Sequence, residues 1–431
     1  MSLDIKMNLP EAVKYILDTL HNNGYSCYVV GGCVRDAIMG KEPHDYDITT
    51  SAKPNKVIEI FNEYEVLPTG LQHGTVTVII ESESFEITTY RLDGKYSDAR
   101  HPDNIELTDN IIEDLKRRDF TMNAIAYNPW DGFVDPFNGV DDIKNKMIRC
   151  VGSPSIRFHE DGLRILRAMR FAAQLGFDIE EQTSLAMRNS KHLLDNISKE
   201  RIQGEFVKIL KSEHCGSGVF EKYLDIVHMI IPEIEHKIDF SSEYEYNLWW
   251  RTLRYMDCLG EYGEIDGDDI VLRLAILFYN IETSSDESAK ITYKILRDLK
   301  FSNEIVAYTT QLVSYLDFAD YTLGDIMIKQ FLNDIGEKQV RRLILFKKCM
   351  HSIILDEYML NNIIENNECY SLQQLAVNGD DLIEHGIQQG KEVGNVLNSL
   401  LRRVFIDNNR NDRELLLQEV DRIATMYKND N

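Results

Sequence analysis

The chain has 431 residues, an apolar fraction of 43% and a formal net charge of -24. That length allows several domains and a sizeable core. The charge, taken over the whole chain, argues against a nucleic-acid partner. Screening limits that argument, because the Debye length is only about 8 Å at physiological ionic strength. The acid could lie in the carboxyl-terminal half while a basic cleft survives elsewhere. Seven scattered cysteines include no Cys-x-x-Cys pair and read as reduced packing residues of a cytoplasmic protein. The amino terminus has no basic run followed by an apolar core, and no apolar run reaches the ~18–20 residues a bilayer span needs. No membrane association is expected.

Residues 10–23 read as an amphipathic helix, with Pro10 at its start and Val13, Ile16, Leu17 and Leu20 on one face. The stretch 28–50 organises the amino-terminal part of the chain. Tyr28 to Val30 is a strand signal, Gly31 and Gly32 make a tight turn, and Cys33 to Met39 is a short helix stopped by Gly40. A glycine pair at a strand-to-helix turn lets backbone N–H groups approach an anion. Asp45 and Asp47 come next, in an extended run. Positions i and i+2 of a strand share a face, so both carboxylates can grip one hard cation. A lone Gly-Gly is a turn, and a lone Asp-x-Asp is a solvated loop. Their order, with Arg35 between them, is the layout that holds a nucleoside triphosphate and its Mg2+ for in-line attack.

Another short helix is expected over 54–61. Thr75 to Ile80 and Phe85 to Tyr90 alternate as a hairpin, with the turn at Glu81 to Ser84. Glu86 faces opposite to Phe85 and Ile87. It is either a solvent-facing strand residue or a third carboxylate beside Asp45 and Asp47. Residues 91–107 are polar and carry breakers at Gly94 and Pro102, which reads as a long loop. Lys116, Arg117 and Arg118 form a charge run of the kind that is ordinarily solvated. Beyond them lie Asp119 and Asn123, with hydrogen-bonding groups suited to a ribose.

A helix is expected over His159 to Phe171, placing Asp161 and Arg164 as i,i+3 neighbours. They form either an ordinary surface ion pair or a base reader. Cytosine and adenine both present an amino donor beside a ring-nitrogen acceptor. A carboxylate with a guanidinium matches that pattern, whereas guanine and uracil present a carbonyl there instead. On one ideal helix, Arg170 turns nearly to the opposite side from Asp161. After about residue 210 the pattern is helical. Trp249 and Trp250 read as packing residues. Lys391, Arg402 and Arg403 are either helix-end charges or phosphate contacts.

The stretch 28–50, the string Arg117-Arg-Asp-Phe-Thr-Met-Asn-Ala124 and Glu160-Asp-Gly-Leu-Arg164 closely resemble motifs of class II CCA-adding tRNA nucleotidyltransferases and bacterial poly(A) polymerases. The resemblance is strong over about residues 25–205 and weaker to the end. It implies an α+β fold, with a polymerase-beta-like nucleotidyltransferase head on a mixed sheet (1–150). A neck with the base-reading helix (151–210), a helical body (211–350) and a helical, RNA-supporting tail (351–431) would complete the chain. The implied function is template-independent addition of CCA to the tRNA 3′ end from CTP and ATP. Asp45 and Asp47 would bind Mg2+, with Glu86 on the neighbouring strand as a third acidic residue. Gly32 and Arg35 would position the triphosphate, and Arg118, Asp119 and Asn123 would contact the nucleotide or brace its site. Asp161 and Arg164 would read the base. Arg167 and Arg170 are assigned nucleotide contacts by the resemblance alone.

The resemblance further implies a flexible loop at 91–107 involved in the last adenosine, and structural roles for Glu200, Arg201 and Glu205. It also implies an HD phosphohydrolase-like body in which Tyr279 and Asn280 stand where the His-Asp metal pair would be. The alternatives are an A-only or CC-only enzyme, a poly(A) polymerase, or a non-catalytic RNA-binding protein. The retained loop argues against CC-only addition, and the acidic tail mildly against poly(A) synthesis.

Overall fold

The structure is a computed structural model that describes residues 6–43, 45–94, 105–237, 248–261, 269–317, 324–351 and 355–429. It divides into two compact units, Met1–Glu233 and Ile234–Asn431. The first opens with α1 (Glu11–Asn22), whose Val13, Ile16, Leu17 and Leu20 are buried as the periodicity requires. Then come β1 (Cys27–Val30), α2 (Gly32–Ile38), β2 (Asp47–Thr50) and α3 (Pro54–Ile60). The strands β3 (Glu65–Gly70), β4 (Thr75–Ile80) and β5 (Glu83–Thr89) are next in the chain.

The hairpin turn is tighter than expected, just Glu81 and Ser82, both at positive φ (51° and 71°). That is the left-handed geometry that suits a two-residue hairpin, reached here without glycine or asparagine. The polar stretch 91–107 also departs from a plain loop. β6 (Arg91–Asp93) and β7 (Ile105–Leu107) pair antiparallel at its two ends; residues 95–104 lie outside the described residues.

After α4 (Ile111–Lys116) and a 3-10 turn at Thr121–Asn123 come β8 (Ala126–Asn128), β9 (Gly132–Val134), α5 (Gly139–Lys144) and β10 (Met147–Ile148). Seven strands form one mixed sheet in the order β3-β4-β5-β2-β1-β8-β9, with β2 and β5 parallel and the other neighbours antiparallel. The β1–β2 register places Val30 opposite Asp47. The glycine turn leaving β1 therefore emerges beside the first aspartate of β2.

The remainder of this unit is mainly helical: α6 (Pro154–Glu160), α7 (Arg164–Leu175), the short strand β11 (Asp178–Ile179), α8 (Glu181–Asn189), α9 (Lys199–Leu210) and α10 (Leu224–Ile230). The single helix expected over 159–171 is in fact two, broken at Asp161–Leu163. Gly162 packs against the next segment so closely that a Cβ there would lie 3.0 Å from Leu193 Cβ and 3.2 Å from its carbonyl oxygen. The Asp161 carboxylate accepts the Leu163 N–H at 3.0 Å, and its backbone is extended (φ -147°).

The second unit is helical among its described residues, from Leu248–Glu261 to Arg413–Asn429. Trp249 is buried, and Tyr279 packs against Phe346 with ring centroids 5.0 Å apart. Asn280 takes a left-handed conformation. Acid is not confined to this half. Residues 1–233 hold 26 basic and 37 acidic side chains, and residues 234–431 hold 21 and 34. No helix among the described residues is long and apolar enough to cross a membrane.

Candidate active site

The first unit contains a cavity of about 560 Å³ between the end of β1, the α4–3-10 segment and α7. Its lining brings together Gly32, Arg35, Asp47, Arg118, Asp119, Asn123, Asp161, Arg164, Arg167 and Arg170. Seven arginines and three aspartates face this space, so a strongly cationic pocket sits inside a net-acidic unit. That volume falls within the range of small-ligand and cofactor sites.

Gly31 sits at φ 83°, a conformation that side chains rarely adopt. A Cβ there would lie 3.3 Å from Arg118 Nη1 and 3.8 Å from Asp47 Oδ2. The bare turn thus lets the cation and the carboxylate approach from either side. Asp47 is open to solvent, yet close protein walls desolvate it. That burial raises its carboxyl above the usual range against the pull of Arg118, and the charge of Asp45 raises it further. Neither aspartate has a hydrogen-bonded or ion-paired side-chain partner among the described residues.

Asp45 precedes β2 and is exposed, and it is not part of the cavity lining. Glu86 is also exposed and outside the lining. The parallel β2–β5 register begins at Ile48–Ile87, one residue after Asp47 and Glu86 in their strands. Among the described residues, no three His, Cys, Asp or Glu side chains gather closely enough to hold a metal. Asp45 lies near enough for its charge to act on Asp47. Hard oxygen ligands carrying uncompensated charge suit a hard divalent cation.

Asp119 is the opposite case. It is 8% exposed, and its Oδ2 accepts from Arg167 Nε at 2.9 Å and Nη2 at 2.5 Å. Oδ1 accepts the Phe120 N–H at 2.8 Å and Asn123 Nδ2 at 3.3 Å. Burial alone would raise this carboxyl; the Arg167 guanidinium and these donors bring it down to about 2. Asn123 Oδ1 in turn accepts from Arg35 Nη1 at 2.9 Å, and Arg35 also pairs with Asp36 at 2.8 Å. One chain of polar contacts thus runs from α7 through Asp119 and Asn123 to α2.

The Arg164 N–H donates to the Asp161 carbonyl at 3.1 Å, but their side chains do not pair, so the surface ion pair is absent. Asp161 Oδ2 accepts from Arg201 Nη2 at 2.8 Å. Arg164 pairs with Glu160 at 2.7 Å and donates to the Arg117 carbonyl at 3.1 Å. The two groups reach the cavity from a turn and from a helix start, not from one helical face. Because Asp161 lies outside the helical register of α7, the expected turning-away of Arg170 does not apply. Arg170 lines the cavity and pairs with Glu205 at 3.2 Å.

Several residues at the site escaped sequence reasoning. Arg117 and Arg201 line the cavity, although the first read as a solvated charge and the second as a neck brace. Phe171 and Gln174 line it too. Behind it, Asp114 is fully buried. Its Oδ1 accepts from Arg117 Nη2 at 2.7 Å and from the Arg91 N–H at 3.3 Å; its Oδ2 accepts from Arg118 Nη2 at 3.3 Å. The i,i+3 and i,i+4 spacing of Asp114 to Arg117 and Arg118 was the signal available for this hub.

Similarity to known proteins runs along the whole chain. A family profile for the poly A polymerase head domain matches residues 27–149. A second, described as "Probable RNA and SrmB- binding site of polymerase A", matches 176–236, and one for tRNA nucleotidyltransferase domain 2 matches 274–420. The CCA-adding enzyme of Lactobacillus helveticus (strain DPC 4571) is 36% identical over 425 residues, covering 94% of this chain and 96% of that one. That of Ligilactobacillus salivarius (strain UCC118) is 32% identical over 438 residues, covering 96% and 98%. The crystal structure of the Bacillus stearothermophilus CCA-adding enzyme in complex with CTP matches with a TM-score of 0.75 at 26% identity, covering 98% of this chain and all of that one. Agreement of this extent, head to tail and in fold as well as sequence, places the chain in the CCA-adding enzyme family.

Proposed function

We infer that the protein is a tRNA nucleotidyltransferase that adds cytidine and adenosine, from CTP and ATP, to the 3′ end of tRNA. The observation that carries this is the arginine-lined cavity with Asp47 in its wall and Asp45 two residues earlier in the chain. The RNA 3′-hydroxyl oxygen forms a bond to the α-phosphorus, and the bond from that phosphorus to the bridging oxygen breaks to release pyrophosphate. Gly32, Arg35 and Arg118 hold the triphosphate, and Arg167 and Arg170 add cationic contacts to the nucleotide. Asp119 keeps Arg167 in place and Asn123 keeps Arg35, and both border the sugar. Asp161 accepts from the exocyclic amino group of C or A, while Arg164 donates to the ring nitrogen. Both are already braced, by Arg201 and Glu160, so selection needs no template base.

The head family works with a divalent metal. We assign Mg2+ to Asp45 and Asp47, with Glu86 as a neighbouring acidic residue. When bound there, it would make the 3′-hydroxyl more acidic and neutralise charge on the pyrophosphate. Residues 1–150 form the catalytic head, 151–210 the neck, 211–350 the body and 351–431 the RNA-supporting tail of this reading. A cytoplasmic location fits the reduced cysteines.

The test uses tRNA transcripts lacking the terminal trinucleotide, its last two residues or only its last residue. Each is incubated with Mg2+ and with CTP, ATP or both, and products are resolved to single nucleotides. All three should reach one CCA end and stop. A single A gained only by the transcript ending in CC would mean an A-adding enzyme, and arrest after CC a CC-adding one. Long A ladders would mean a poly(A) polymerase, and no incorporation an RNA-binding protein.

A further inference from the structure

Three of the cavity arginines converge on one ring. The guanidinium carbons of Arg35, Arg167 and Arg170 lie 5.3, 5.5 and 4.3 Å from the centroid of Phe171. These cations come from two elements, α2 and α7, and each also has a carboxylate: Asp36, Asp119 and Glu205 respectively. Like charges gathered in one pocket repel one another. That crowding shows in Arg170, where burial first, and then Arg167 and Arg35, work against its charge, while Glu205 supports it. An aromatic face attracts cations within about 6 Å of its centroid without taking a hydrogen-bonding N–H from any of them. The donors not already taken by Asp36, Asn123 and Asp119 stay available for phosphate oxygens. Phe171 is 6% exposed and meets Phe120 edge-on, with centroids 5.8 Å apart and an interplanar angle of 84°. The ring thus touches Phe120 edge to face, and it also lines the cavity.

We propose that Phe171 is a positioning residue that gathers Arg35, Arg167 and Arg170 into one fan on a side of the cavity, setting their spacing for the phosphates and sugar of the incoming nucleotide. The inference rests on the nucleotide-transfer reading. It goes further by naming an apolar side chain, rather than a polar one, as what orders the cations.

The comparison is between Phe171→Leu and Phe120→Leu. Both replace a buried ring by an aliphatic side chain in the same aromatic pair, but only the first removes a surface that touches the arginines. Steady-state kinetics on a tRNA transcript should show KM for CTP and for ATP rising together in Phe171→Leu by about fivefold to tenfold, with kcat falling less. Phe120→Leu should lose comparable thermal stability and keep both KM values within about twofold of the unmutated protein. Titration calorimetry with CTP and no RNA should reproduce the contrast in Kd. Equal KM changes in the two variants would overturn the proposal and leave Phe171 as core packing. A change confined to CTP or to ATP would overturn it too, because the ring would then be touching the base. If the unmutated protein binds CTP but extends no tRNA, the nucleotide-transfer reading fails, while the calorimetric contrast still decides the role of Phe171.

Discussion

Asp119 and Asp47 line the same cavity, yet the fold treats their charges in opposite ways. Asp119 is enclosed and receives Arg167, Asn123 and a backbone N–H, so its carboxylate is neutralised by the protein itself. Asp47, with Asp45 two residues earlier, has no hydrogen-bonded or ion-paired side-chain partner among the described residues, and its ionised form is disfavoured. The first arrangement is satisfied within the protein. The second leaves charge that the cation assigned above would complete. Groups that orient other groups are satisfied in advance; groups that must bind an ion are left wanting one.

The contrast is broken most directly at Asp47. Asp47→Asn should reduce nucleotide incorporation by about a thousandfold or more, since it removes one of two assigned metal ligands. The same change should raise the melting temperature of the metal-free protein at neutral pH. A carboxyl raised by folding loses stability as pH climbs through the interval above its unfolded value near 3.8, so the gain should vanish below that interval. Thermal melts in a chelator at pH 7 and pH 3.5 check the sign. A variant that melts lower than the unmutated protein at pH 7 contradicts the account.

Asp119 should behave in the reverse sense. Asp119→Asn leaves Arg167 without its buried anion and is expected to cost about 3–5 kcal/mol. The unmutated carboxylate contributes stability that is fully present above pH 3.8 and is lost between there and about 2. Denaturant unfolding at pH 7 should therefore show the full loss, and the difference between the two proteins should shrink as pH falls through that window. A smaller contrast comes from the second unit, where Arg403 pairs with Glu419 at 2.5 Å on the surface. Arg403→Ala should change unfolding free energy by less than about 1 kcal/mol. Any larger loss would show that compensated charge matters outside the cavity as well.

The parts of this site that were legible in the sequence were those written in contiguous residues. The glycine turn, Asp45 and Asp47, and the string from Arg117 to Ala124 each carry their chemistry within a few positions. The hairpin and the helical remainder came from periodicity, and the α+β head from the resemblance. What stayed hidden depends on distant partners. The break at Asp161–Leu163 had local signals, a glycine and an aspartate that caps the Leu163 N–H, which the helical period outweighed; what stayed hidden is the close approach of Leu193 to Gly162. Asp114 looked like one more charge on a short helix, because Arg91 lies 23 positions away and only the fold brings its N–H to the carboxylate. Arg201 reached the site for the same reason, 40 positions from Asp161. The strands β8 and β9 have three residues each, and β3 and β9 sit at the edges of the sheet, where alternation is weak.

Among the described residues, every basic side chain that lines the cavity is an arginine. A guanidinium keeps its proton at any pH a cell reaches, so the grip on phosphate should not fade in alkaline medium as a set of lysines would. It also has no amine to acylate. Acetyl donors that silence lysine-rich nucleotide sites find no target on these walls, and pyridoxal phosphate finds nothing with which to form a Schiff base. The chemical liability shifts to α-dicarbonyls, which condense with guanidinium groups. Reagents of that class should inactivate the protein where acetylating agents do not.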